Sequence, residues 1–269
     1  MSAPVTDPAV EAEEPPVLTE RLSDHVLLIT LNRPKARNAV NGALASALDA
    51  VVRQVEADDS LWVAIITGAG NDSFCAGGDL KEVSKGLTHT FSTEFGFAGF
   101  VFAERKKVWI AAVNGPALGG GCEIMLACDM AVVAEGAPIG LPEVRRGVMA
   151  GAGGMWRLPR VLPRPLALEI LATGGRLTPE RALAVNLINR IAPRDKLIEE
   201  AKALADLVCE CSPIAVQESL YVARQAYDHP EADLRAMTMK GRERLIKSED
   251  YKEGPKAFIE KRAPNWLGR

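Results

Sequence analysis

The sequence predicts an α/β fold: a mainly parallel sheet followed by a helical C-terminal region. Three observations carry this reading. Short apolar, β-branched runs recur in the first half of the chain, each closed by glycine, proline or asparagine, which is how strands end. Apolar residues at helical spacing lie between these runs, and alternating strands and helices favour parallel pairing. After about residue 163 the pattern is helical.

Val26–Leu31 (VLLITL) reads as a strand that ends at the turn residues Asn32, Arg33 and Pro34. Leu44, Leu48, Val51, Val52 and Val55 then fall on one face of a helix. Residues 62–67, 109–113 and Met130–Ala134 are further strands. Thr178 is a helix N-cap, with Pro179 at the first helical position. Helices are expected over residues 196–208, 213–226 and 232–246, and a last one starts at Ser248. Residues 1–17 are acidic and proline-rich and read as a disordered tail, residues 18–195 as the α/β core, and residues 196–269 as a helical region.

Composition narrows the function. The 269 residues carry a net charge of -3, which disfavours a nucleic-acid binder. No apolar run approaches the roughly 20 residues of a membrane span, and the N-terminus lacks a signal peptide's apolar segment. Five cysteines, an odd number, suit reduced thiols and a cytoplasmic location. The three histidines are scattered, so no metal site is expected. Neither a dinucleotide fingerprint nor a phosphate-loop motif is present.

Two glycine-rich segments remain. Residues 74–79 (FCAGGD) follow one strand; residues 114–123 (NGPALGGGCE) follow another and lead into an apolar helix expected from Ile124. Each could simply be a tight turn. Each also brings an acidic residue, Asp79 or Glu123, and bare glycine backbone lets a ligand approach closely. Two N–H groups aimed at one oxygen make an oxyanion hole. Glu143 stands twenty residues beyond Glu123, ahead of a third glycine cluster at residues 151–154. Two carboxylates facing one substrate would raise at least one pKa and leave an acid and a base together.

Four segments in order resemble the crotonase (enoyl-CoA hydratase/isomerase) superfamily: residues 31–40 (LNRPKARNAV), 74–80 (FCAGGDL), 111–123 (AAVNGPALGGGCE) and 253–264 (EGPKAFIEKRAP). The resemblance covers residues 18–269 and refines the fold to a spiral of β-β-α turns with a C-terminal helical region used in trimer or hexamer assembly. It implies an acyl-CoA thioester substrate and no cofactor apart from the coenzyme A the substrate carries, with a place in fatty acid and lipid metabolism. It places the oxyanion N–H groups on Gly78 and Gly120 and the two hydratase carboxylates on Glu123 and Glu143. Arg33, Lys35 and Arg37 would meet the CoA nucleotide, and Ala76, Asp79 and Leu80 would line the CoA arm. Phe258 and Lys261 would reach the nucleotide of a neighbouring subunit. Having both carboxylates points to hydration of a 2-enoyl-CoA to a 3-hydroxyacyl-CoA; double-bond isomerisation, other enolate chemistry and non-catalytic acyl-CoA binding are the alternatives.

Five phenylalanines, Phe91, Phe95, Phe97, Phe100 and Phe102, crowd one stretch, expected to be a buried helix near the acyl pocket and to favour an apolar acyl group. Trp156 is assigned either to that pocket or to the core. The chain departs from the family pattern at Val108 and Trp109, in residues 148–154, which lack a proline, and at Met155 and Trp156. These changes put the acyl end of the substrate in question.

Overall fold

The computed structural model describes residues 14–269. The strands are β1 (Val17–Arg21), β2 (Val26–Leu31), β3 (Val63–Gly68), β4 (Ser92–Thr93), β5 (Gly96–Phe97), β6 (Val108–Val113), β7 (Ala117–Leu118), β8 (Met130–Ala134), β9 (Ile139–Gly140), β10 (Arg176–Leu177) and β11 (Arg190–Ala192). The helices are α1 (Gly42–Ala57), α2 (Leu80–Val83), α3 (Gly120–Ala127), α4 (Gly154–Val161), α5 (Arg164–Thr173), α6 (Pro179–Ala184), α7 (Leu197–Cys209), α8 (Pro213–Arg224), α9 (Glu231–Lys247) and α10 (Glu249–Glu260).

The main sheet has the order β1-β2-β3-β6-β8-β11 and is parallel from β2 onward. Its central strands β3 and β6 are buried along their whole length, as the continuous apolar runs require. A second, shorter wall stacks β7, β9 and β10. Isolated parallel bridges extend it, Val40 to Gly78 and Cys75 to Ala117. Both walls therefore add rungs in the same chain order, which is the spiral of β-β-α turns. α1 lies between β2 and β3 and buries Leu44, Ala45, Leu48, Val52 and Val55, with Asn41 capping its N-terminus.

The C-terminal region starts with a helix of the core. α7 packs on β3, β6 and β8 through Leu197, Ala201 and Ala205. Beyond it, α8 is tied to the core by Arg224, whose Nε and Nη2 each donate to Asp129 at 2.8 Å. Asp129 Oδ2 also accepts the N–H of Trp109, so the Val108 and Trp109 departure is braced at the start of β6.

The structure corrects four expectations. Val17, the last residue assigned to the tail, opens β1 and pairs with Leu31; residues 1–13 of that tail lie outside the described residues. The segment after residue 163 is not wholly helical, because β10 and β11 add short strands to the two walls. The phenylalanine-rich stretch is a single 3-10 turn (Thr88–Phe91) followed by the β4–β5 hairpin, since Gly96, Ala98 and Gly99 all take positive φ. The helix expected from Ile124 begins at Gly120, a turn earlier.

Among the described residues no helix is long and apolar enough to cross a membrane.

Candidate active site

The two glycine segments meet on the second wall. The bridge that pairs Cys75 with Ala117 stands three residues before Gly78 and three before Gly120, so the two positions share one register. A Cβ built on Gly77 would lie 3.2 Å from the Gly120 nitrogen, which places the segments in backbone contact. Each donor follows a glycine at positive φ, Gly77 at +91° and Gly119 at +58°, conformations that side chains resist. Among the described residues neither the Gly78 nor the Gly120 N–H donates to a protein acceptor. Gly120 is also the first residue of α3, where backbone N–H groups have no helical partner and the dipole favours negative charge.

Aromatic rings wall this pair. A Cβ on Gly78 would touch the Phe91 ring at 2.9 Å, and one on Gly120 would come within 2.5 Å of the Phe97 ring. Sequence reasoning placed the phenylalanines near the acyl pocket without singling out these two. Phe102 and Trp156 stack with centroids 6.0 Å apart. Trp156 is exposed rather than part of the core.

Glu123 sits in the first turn of α3 with 3% of its surface exposed. Its Oε1 accepts the Gly154 N–H at 2.9 Å. Burial pushes its carboxyl up to about 7, and the nearby charge of Glu143 adds to the rise, while the Gly154 N–H and Arg157 oppose it. Glu143 opens a 3-10 turn (Glu143–Arg146), and burial raises its carboxyl as well. Its Oε2 is buried and has no hydrogen-bond partner among the described residues. A buried carboxylate oxygen left unpaired is costly, and such groups concentrate where chemistry needs them. Glu143 also borders a cavity of about 210 Å³ lined by Leu141, Met149, Ala150, Met155 and Leu171. The departures at Met149 and Met155 thus form the apolar wall beside this carboxylate. The Gly154 N–H, which orients Glu123, was not among the expected site residues; the third glycine cluster was its only signal.

On the other side of Gly78 a groove of about 340 Å³ gathers Arg33, Lys35, Arg37, Ala76, Asp79 and Leu80, all residues expected to bind CoA. Arg33 does not point freely into it. Its Nη1 donates to the Ala39 carbonyl and its Nη2 pairs with Asp79 Oδ2. The exposed side chains of Lys35, Arg37 and Lys81 are the cations left to face a ligand. Phe258 and Lys261, at the end of α10, are exposed and do not line the groove of their own chain.

Comparison with known proteins identifies the family and the fold. The sequence model of the enoyl-CoA hydratase/isomerase family matches residues 21–269. This chain belongs to that family. The enoyl-CoA hydratase structure from Mycobacterium tuberculosis superposes with a TM-score of 0.90 at 40% identity, covering 95% of this chain and all of that one. A carnitinyl-CoA hydratase structure from Mycobacterium avium is 45% identical with a TM-score of 0.75, over 95% of this chain and all of the other. The carnitinyl-CoA dehydratase of Proteus mirabilis is 39% identical over 252 residues, 91% of this chain and 95% of the relative. The crotonase spiral is thus the fold of this enoyl-CoA hydratase/isomerase family member, and the relatives named here are hydro-lyases.

Proposed function

We propose that the protein is an enoyl-CoA hydratase that adds water across the 2,3 double bond of a 2-enoyl-CoA to give a 3-hydroxyacyl-CoA. The observation that carries this reading is the pair of buried carboxylates, Glu123 and Glu143, next to two undirected backbone N–H groups. The N–H groups of Gly78 and Gly120 hold the thioester oxygen as it gains charge. A water between the carboxylates attacks C3. Its O–H bond breaks toward the ionised carboxylate, the C3–O bond forms, and the protonated carboxyl delivers a proton to C2. The raised carboxyls support having one member of each kind near neutral pH. The same groups run the elimination in reverse. Lys35 and Arg37 meet the CoA phosphates, and the thioester arm lies along Ala76 and Leu80.

The apolar cavity at Glu143, with Met149 and Met155 in its wall, favours an apolar acyl group. The test is a panel of 2-enoyl-CoA thioesters of increasing length, with carnitinyl-CoA as a cationic 3-hydroxyacyl competitor, read by the conjugated enoyl absorbance. Loss of absorbance with formation of a 3-hydroxyacyl-CoA supports hydration. A shifted double bond supports the isomerase reading, and turnover only of carnitinyl-CoA would replace the apolar acyl assignment.

A further inference from the structure

Arg157 lies in α4, half-buried, and among the described residues it makes no ion pair. Its hydrogen bonds go to carbonyls of two different segments. Nη1 donates to Ala152 at 3.1 Å and Nη2 to Val101 at 2.5 Å. The guanidinium lies 5.8 Å from the Phe102 ring centroid and 6.0 Å from that of Trp156. It packs so tightly on Gly153, where φ is +121°, that a Cβ there would overlap it. The residue after that glycine supplies the N–H that holds Glu123 Oε1.

We propose that Arg157 is the positioning residue of Glu123: its guanidinium clamps the turn at residues 152–154 that holds the carboxylate. This rests on the reading of Glu123 as one of the two proton-transfer groups. The need is physical. A carboxylate buried beside a second carboxylate would otherwise stay protonated and could not serve as a base. The groups facing Glu123 are Cys122 on its own helix, Glu143 across the site, the Gly154 and Ala152 N–H groups and Arg157. Arg157 is in turn faced by Arg105, Cys128 and Arg160. The Gly154 and Ala152 N–H groups oppose burial and Glu143 most, and Arg157 adds a smaller opposing charge; the two N–H groups belong to the turn that Arg157 clamps. A planar fork that bonds two carbonyls at once suits this post, and a lysine would keep the charge but lose the fork.

The test uses the full-length protein with Arg157→Gln and Arg157→Lys. The Glu123 carboxyl is titrated by infrared difference spectra, its protonated C=O band assigned by its absence in Glu123→Gln, and kcat and KM are measured on the best enoyl-CoA. Arg157→Gln should move the Glu123 midpoint above the wild-type value of about 7. Arg157→Lys should raise the midpoint less than Arg157→Gln and still lose kcat, because a turn displaced by about an ångström costs up to about 100-fold. A folded Arg157→Gln protein with an unmoved midpoint overturns the proposal. If Arg157→Gln does not fold, Arg157→Lys decides, and wild-type kcat in that variant overturns it. If the wild type hydrates none of the enoyl-CoA panel, the hydratase reading fails by itself, while the infrared titration still decides the role of Arg157.

Discussion

Arg33 and Asp79 form an ion pair of 2.9 Å in the wall of the groove beside Gly78, with only 23% and 11% of their side chains exposed. Asp79 Oδ1 also accepts the Lys81 N–H and so caps α2. The pair joins the 31–40 motif to the segment that carries Gly78. Burial would raise the Asp79 carboxyl, but the bonds from Arg33 and Lys81 overcome it and hold it below the usual range. Its stabilising contribution is therefore present above the unfolded carboxyl value and lost as pH falls through the folded one. Asp79→Asn should lower stability by about 2–3 kcal/mol at pH 7. Urea denaturation should show that cost shrinking in acid, and a pH-independent cost would contradict the ion-pair account.

Glu123 has the opposite sign. Its folded carboxyl, at about 7, stands above the ordinary 4.5. Between those values the folded state keeps a proton that the unfolded chain has released, so stability declines as pH rises through that window. A shift of this size corresponds to roughly 3 kcal/mol. Glu123→Gln should therefore be more stable than wild type at pH 8 and equal to it near pH 4, while hydration falls by about 10²–10⁴-fold. Thermal unfolding at the two pH values, with turnover on the same samples, checks both halves.

At Gly120 the expected loss has two separable sources. Gly120→Val removes room for the thioester and drives a side chain into the Phe97 ring, which stands 2.5 Å from the Cβ position. Turnover should fall by about two to three orders of magnitude, the cost of losing an oxyanion donor. Phe97→Ala combined with Gly120→Ala relieves the ring contact. If the double variant recovers wild-type turnover, the ring contact alone explains the need for glycine, since alanine keeps the backbone N–H.

Phe258 is 85% exposed and its neighbour Ile259 79%, unusual for large apolar side chains on one helix end. We expect a trimer or hexamer in which this end covers a neighbouring CoA groove. Phe258→Ala with Lys261→Ala should raise KM for the acyl-CoA about tenfold and leave kcat nearly unchanged. Light scattering that finds a stable, active monomer would contradict the assembly.

The strands β2, β3, β6 and β8 were legible because each is an unbroken apolar run, buried on both faces. β1 was not, because only Val17 of its five residues is buried and an edge strand needs no alternation. β10 is two residues long, too short for any period. The phenylalanine stretch read as a helix because its spacing is compatible with one, while the positive φ at Ala98 is not written in hydrophobicity. The groove residues came together as the motifs implied, since the motif at residues 31–40 and that at residues 74–80 are stitched by the Val40–Gly78 bridge. The Arg33–Asp79 ion pair was not legible, because the two residues lie 46 apart in the chain. Gly154 and Arg157 escaped notice for a related reason: one acts through its N–H and the other through carbonyls, and backbone bonds leave little trace in side-chain chemistry.

The bridge between Cys75 and Ala117 has a wider consequence. Because Gly78 and Gly120 occupy equivalent steps after it, the placing of their two N–H groups follows from backbone register and not from any side chain. The proposed oxygen-holding device and the side chains proposed to meet the acyl group are thus encoded by different atoms of the chain. Mutation can redraw Phe97, Met149, Met155 or Trp156 without moving the device. Divergent substrates on a constant catalytic frame are what such a separation permits.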